Sequence, residues 1–224
     1  MTYSTPVLTI DGPSGSGKGS ISKRIAERLG WHYLDSGALY RALGVAAIKK
    51  HIDIEDEKAL VALVRQIDLE FKKTEQGCWA VLLNGEAIQD QLQTEEVGDI
   101  ASKIAVFKEV RQSLLAKQQS FRKKPGLVAD GRDMGSVVFP DAQYKVYLTA
   151  SAEERGKRRH KQLIEKGINA SLADVIQDIE QRDERDQNRA TSPLVIPEGA
   201  DYIDSSNDTI DEVVHNVLNV LKNT

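Results

Sequence analysis

The chain has 224 residues, 40% of them hydrophobic and 29% charged, with a formal net charge of −4 at pH 7. That length can bury a sizeable core as one domain, and the composition is ordinary for a globular protein. The acidic balance argues against a general nucleic-acid binder, and no apolar stretch approaches the length that spans a bilayer.

The single cysteine, Cys78, excludes an internal disulfide and a cysteine metal cluster. Its flanks, Gly77 and Trp79, predict a packed thiol in a strand-like run. Residues Met1 to Pro6 lack the basic, apolar, then small-residue order of a leader, so a cytoplasmic location is expected. The sequons at Asn169 and Asn207 then read as chance matches.

The apolar run Val7–Asp11 predicts a buried parallel strand. It feeds Gly12-Pro13-Ser14-Gly15-Ser16-Gly17-Lys18-Gly19-Ser20, which opens a helix over 17–29 with apolar residues Ile21, Ile25, Ala26 and Leu29. Strand, glycine loop and helix in that order make a phosphate-binding loop. Glycines let successive N–H groups turn inward, the helix N-terminus adds partial positive charge, and Lys18 adds a full one. The hydroxyl that usually follows the lysine directly is displaced by Gly19 onto Ser20.

Further elements follow: a strand over 31–34 and helices over 37–50 and 56–67. Between Leu69 and Ile88 the pattern becomes short β-like runs, with turns predicted at Glu75-Gln76-Gly77 and Asn84-Gly85. Asn-Gly tolerates φ > 0 at both positions, so a small inserted antiparallel sheet is expected. Helices over 94–106 and 108–121 come next, then strands Leu127–Ala129 and Lys145–Leu148. Polar helices over 151–166 and 171–188, a strand at Tyr202-Ile203 and a helix over 208–222 complete the chain. Repeated β-then-α order predicts an α/β fold with a doubly wound parallel sheet and ligands at the strands' carboxyl ends.

Three motifs suggest a second anion site. Asp35-Ser36-Gly37 ends a strand and begins the helix carrying Tyr40 and Arg41. The same residues would also serve as an ordinary helix cap beside a surface arginine. Asp130-Gly131-Arg132-Asp133-Met134-Gly135 ends another strand. Asp130 occupies the place of a carboxylate that orients Mg²⁺ and its waters, and Arg132 and Asp133 are placed for substrate. An Asp–Arg turn closed by its own salt bridge is the alternative. Finally, Arg155, Arg158 and Arg159 lie on one polar helix and Arg182, Arg185 and Arg189 on or just past the next. They read either as a flap of guanidinium groups over phosphates or as a solvated face with Asp178–Arg182 and Arg182–Asp186 pairs.

These motifs, with Ile10-Asp11, Leu34, Val138-Phe139-Pro140, Arg182-Asp183 and Asp186 through Ala190, closely resemble the bacterial cytidylate kinases among the nucleoside monophosphate kinases. The resemblance runs along essentially the whole chain and includes the β-rich insertion. It implies transfer of the γ-phosphoryl group of ATP to CMP or dCMP, with Mg²⁺. It also implies one domain with a core (1–35, 125–150 and 191–224), a monophosphate-binding arm (36–124) and a lid (151–190), and a monomer.

By resemblance, Ser102, Arg111 and Asp133 would read the cytosine, with Ser36 beside the acceptor. Arg41, Arg132 and Arg189 would hold its phosphate, and Arg182 and Asp186 its ribose or neighbouring phosphates. Arg155 and Arg159 would be lid arginines on ATP. Mg²⁺ would be reached through water from Asp130 and Ser20. The acceptor is already an ionised oxygen, so no general base is assigned, and His32 and His160 read as structural or solvent-facing. Two other readings share the phosphate loop. One is a kinase for another monophosphate, such as UMP, or a small metabolite. The other is a nucleotide switch, against which the guanine-reading Asn-Lys-x-Asp pattern is absent.

Overall fold

The computed structural model describes residues 5–74, 79–165 and 167–222. The predicted turn at Glu75-Gln76-Gly77 and the thiol of Cys78 lie outside the described residues. The central strand β1 (Val7–Asp11) is buried at every position, as its continuous apolar run requires. It pairs in parallel with β6 (Leu127–Gly131) on one side and β7 (Tyr144–Thr149) on the other. With β2 (His32–Asp35) and β8 (Asp201–Asp204) the sheet order is β2-β6-β1-β7-β8, and every pairing is parallel.

Alternate residues face opposite sides, and the core divides accordingly. Val7, Leu34, Leu127 and Ala129 pack with α2 (Ser36–Lys49), α3 (Glu57–Gln66), α5 (Glu95–Ile104) and α6 (Lys108–Gln119). Leu8, Ile10, Tyr33, Val128 and Val146 face the other way, against α1 (Lys18–Leu29) and α9 (Ile210–Val220). Helices therefore cover both faces, and the loops that leave the strands' carboxyl ends share one rim.

The insertion forms the expected antiparallel sheet, in order β3 (Leu69–Lys73), β4 (Trp79–Leu83), β5 (Glu86–Ala87). Asn84 and Gly85 take φ of 51° and 82°, the left-handed turn their side chains permit. The sheet is fastened aromatically to the β2 edge: Trp79 and Phe71 lie 5.3 Å and 6.3 Å from the Tyr33 ring. Two elements escape the sequence pattern. Helix α4 (Gln89–Leu92) is too short to show a period, and Met134–Val138 forms a single π-helical turn in a glycine-containing segment.

Helices α7 (Ala152–Glu165) and α8 (Leu172–Gln187) make a helical lid. They close on a small core of their own, Leu163, Val175 and Ile179. Gly156 lets them approach, since a Cβ there would sit 2.4 Å from Ile176 Cγ1.

Candidate active site

The phosphate loop links β1 to α1. Gly12 is obligatory there, because its φ is 151° and a Cβ would lie 1.9 Å from the Leu148 carbonyl oxygen. No side chain caps the N-terminus of α1, and no acid lies in its first turn, so its leading N–H groups suit an anion. Lys18 is buried, with Nζ donating to the Pro13 carbonyl at 2.6 Å and approaching Ser16 Oγ at 3.4 Å. Burial, then the Arg132 charge, pull its pKa well below the usual lysine range. A polyphosphate beside it would restore the charged form. Ser20 is exposed in the first turn of α1.

Two carboxylates end adjacent strands in register, Asp35 on β2 opposite Asp130 on β6. Asp35 caps α2 by accepting the Ala38 N–H at 2.9 Å, which confirms the predicted cap. Asp130 accepts from Tyr33 Oη at 2.6 Å, and burial, then Asp35, push its pKa up. Among the described residues, no three His, Cys, Asp or Glu side chains group to hold a metal unaided. Crowded carboxylates and the nearby Ser20 hydroxyl nevertheless match how Mg²⁺ is held, by one or two protein oxygens with substrate phosphates completing the shell.

Arg132 and Asp133 do not pair with each other, so the self-closed turn is excluded. Arg132 Nε donates to Asp186 Oδ2 at 2.8 Å, reaching the lid, while Asp133 pairs with Arg111 of α6. Asp186 also lies 3.8 Å from Arg189 Nη1, and Arg189 Nη2 donates to the Ser192 carbonyl at 2.8 Å. One acid thus holds two guanidinium groups. Burial works against its ionisation, but Arg132, Arg189 and Arg182 outweigh that and keep the Asp186 carboxyl below its usual range.

The alternative pairs of Arg182 are also absent: among the described residues no carboxylate lies within ion-pair distance of it. Burial, then Arg132 and Arg41, push its pKa down to about 10. Arg41 donates to the Leu92 carbonyl at 3.0 Å and borders a cavity of about 50 Å³ with Lys23, Asp35 and Trp79.

The residues expected to read the base, Ser102, Arg111 and Asp133, are all buried. Arg111 is 7% exposed, donates to the Ala105 carbonyl at 3.1 Å, and stacks its Cζ 5.6 Å from the Tyr40 ring centre. Ser36 Oγ donates to Gln118 Oε1 at 2.9 Å. Several buried polar atoms in this region have no hydrogen-bond partner among the described residues: Tyr40 Oη, Ser102 Oγ, and the Nε atoms of Arg111, Arg182 and Arg189. Buried polar groups are ordinarily paired, so this concentration marks a place built for a polar ligand.

The lid arginines are tied to protein groups. Arg155 donates to the Ala150 carbonyl at 2.9 Å, to Ser14 of the loop at 2.9 Å and to Asp183 Oδ2 at 2.5 Å. Arg159 pairs with Glu95 and Arg185 with Asp99 at 3.0 Å, so both lid helices touch α5. Arg158 donates to the Ser205 carbonyl at 2.6 Å, away from the arginine cluster. His32 and His160 each meet a carbonyl oxygen, of Lys124 at 2.9 Å and Ala170 at 3.0 Å.

Sequence reasoning missed Asp11, Tyr33, Gln118 and Asp183. Only Asp11 carried a signal, a carboxylate inside an otherwise apolar strand.

The family model described as cytidylate kinase matches residues 8–223. The chain belongs to the cytidylate kinase family. A cytidylate kinase of Methylococcus capsulatus is 53% identical over 222 residues, covering 99% of each chain. One from Colwellia psychrerythraea is 52% identical over 218 residues, covering 97% of this chain and 96% of the relative. A solved gluconokinase from Sinorhizobium meliloti shares the fold, with a TM-score of 0.50 at 16% identity, covering 98% of this chain and 93% of its own. Membership makes the chain a phosphotransferase with a nucleotide-binding loop. No helix among the described residues is long and apolar enough to cross a membrane.

Proposed function

We propose that this protein transfers the γ-phosphoryl group of ATP to CMP or dCMP, giving CDP or dCDP. The observation that carries the reading is the pair of anion cradles on one rim. One is the loop with Lys18; the other is the arginine group around Asp186, beside buried and unpaired polar atoms. We read the sheet as doubly wound, with the core, arm and lid at the boundaries the resemblance implies, in a cytoplasmic monomer.

The loop from Gly12 to Ser20 holds the donor phosphates, and Lys18 neutralises charge between β and γ. Arg41, Arg132 and Arg189 grip the acceptor phosphate, while Arg182 and Asp186 meet the ribose side. Arg155 keeps the loop against the lid, and Arg159 turns from Glu95 toward ATP when the donor binds. Asp130 and Ser20 would hold Mg²⁺, which supplies charge neutralisation between the phosphates.

Ser102, Arg111 and Asp133 read the base, with Ser36 beside the acceptor. The Asp133 carboxylate, held by Arg111, accepts from the exocyclic amine of cytosine, whereas uracil sets a carbonyl against that oxygen, at about 1–3 kcal/mol. The acceptor oxygen is already ionised, so catalysis consists of alignment and charge stabilisation without a base. The lid excludes water that would otherwise take the phosphoryl group.

An ADP-release assay with CMP, dCMP, UMP and AMP against ATP–Mg²⁺ tests this. Cytidine nucleotides should be used at least tenfold more efficiently than UMP. Equal or greater use of UMP or AMP would replace the reading with that of another monophosphate kinase, and hydrolysis indifferent to every monophosphate with that of a nucleotide switch.

A further inference from the structure

Asp11 is the last residue of β1, directly before the phosphate loop, and is 0% exposed. Its carboxylate makes no ion pair within 4.0 Å among the described residues. Both oxygens are spent on backbone: Oδ1 accepts the Met134 N–H at 2.8 Å and Oδ2 the Gly135 N–H at 2.7 Å. These two groups begin the π-helical turn Met134–Val138, whose own preceding residue, Asp133, offers no side-chain cap. The turn is therefore capped from another strand. The turn is confined further by close packing, since a Cβ on Gly135 would lie 2.8 Å from Thr9 Oγ1 and 3.1 Å from Pro197 Cγ.

We infer that Asp11 is a positioning residue for the acceptor: by clamping the start of this turn it fixes the backbone that aims Asp133 at the base and Arg132 at the acceptor phosphate. The inference rests on the proposed reading of that pair. A buried carboxylate with two charge-assisted bonds is a rigid device, because both N–H groups would be stranded without it. Asp11 adjoins Gly12 in sequence and Gly131 in sheet register, so one side chain joins the donor loop to the acceptor-reading loop. Both side-chain hydrogen bonds that tie the end of β1 to the turn are made by Asp11, and with the Lys18 charge they are what offsets the burial of an acid in a strand core.

Asp11→Asn tests the assignment, since the amide preserves shape but can accept from only one side and turns its NH₂ toward the second donor. Expected are a tenfold or greater rise in KM for CMP, a reduced CMP-to-UMP ratio of kcat/KM, and an ATP dissociation constant within threefold of the parent. An unchanged CMP-to-UMP ratio, or ATP affinity lost as heavily as CMP affinity, would overturn the role. Gly135→Ala gives an independent test if Asp11→Asn does not fold. It crowds the same turn against Thr9 and Pro197 with Asp11 intact and should shift the same ratio; a ratio equal to the parent's would count against the clamp. A parent protein that uses UMP as well as CMP would refute the reading of Asp133 and with it the aim assigned to Asp11. Discrimination in the parent that survives both substitutions refutes only the role of Asp11.

Discussion

Replacing Arg182 by methionine should make the ligand-free protein more stable and the enzyme worse. Arg182 sits among Arg132, Arg41 and Arg185 with no carboxylate of the described residues in ion-pair range, and burial and those charges push its pKa well below the usual arginine range, to about 10. A base depressed in the folded state is charged at every pH below its folded value. The penalty is therefore present throughout the neutral range and relieved only as pH rises past about 10. At ~1.4 kcal/mol per tenfold, that drop corresponds to roughly 3 kcal/mol against folding. The side chain is partly exposed and water screens it, so an effect of about 1–2 kcal/mol is the sound expectation. For a chain of this length that raises Tm by about 2–8 °C. The lost guanidinium should meanwhile raise KM for CMP roughly 10- to 100-fold, the worth of one hydrogen bond to a charged group. Thermal melts with and without CMP, together with ADP release, measure both. A variant that melts below the parent without ligand, or binds CMP as the parent does, would refute the reasoning.

Lys18→Ala should lower kcat on the order of 10²- to 10³-fold with an unchanged circular dichroism spectrum, the loss typical of one preorganised charge-stabilising donor; near-normal turnover in a folded variant would remove that role. Asp133→Ala should narrow the CMP-to-UMP gap in kcat/KM by roughly tenfold, the equivalent of about 1.4 kcal/mol, and an unchanged ratio in the acceptor panel would sink the assignment. Asp186 is an acid whose folded pKa is depressed. Its stabilisation is complete above the unfolded value near ~3.9 and is lost as pH falls through the folded one. Asp186→Asn should therefore destabilise the protein at pH 7, and flatten the fall in stability below about pH 4; parallel pH–stability curves for variant and parent would contradict this.

What the sequence disclosed follows from how local each signal is. The phosphate loop is legible because glycine φ values, the helix start and Lys18 all act within nine residues. The hairpin at Asn84-Gly85 is legible for the same reason. The strands at 127 and 145 were read short by a few residues, since β6 runs on into Asp130 and Gly131, where polar residues replace apolar ones. Partnerships between elements are not legible in it. Arg132 beside Asp133 invites a local pair, yet each reaches a different element, α8 and α6 respectively. Likewise Asp178, Arg182 and Asp186 have helical spacing for a ladder, but Asp186 is taken by Arg132 from another element, with Arg189 three residues on beside it. A pair four residues apart on an exposed helix contributes about 0.3–0.5 kcal/mol, too little to compete with buried partners.

The same comparison explains why so much cationic charge is tolerated in one place. The acceptor-side guanidinium groups of Arg132, Arg182 and Arg189 have Asp186 as their nearest common acid, while Arg111 is matched by Asp133. The cluster is therefore balanced around Arg111 and Asp133 and over-positive around Asp186. A phosphate monoester carries close to two negative charges at neutral pH, enough to neutralise that excess. Binding then relieves a strain already present in the fold instead of creating a new one. On the proposed reading specificity and affinity are divided accordingly: uracil would set a carbonyl against the Asp133 oxygen that the cytosine amine satisfies, and an anion would answer the excess of arginines. The two functions meet at Arg132-Asp133, adjacent in sequence, and share the backbone segment that Asp11 holds from the donor side.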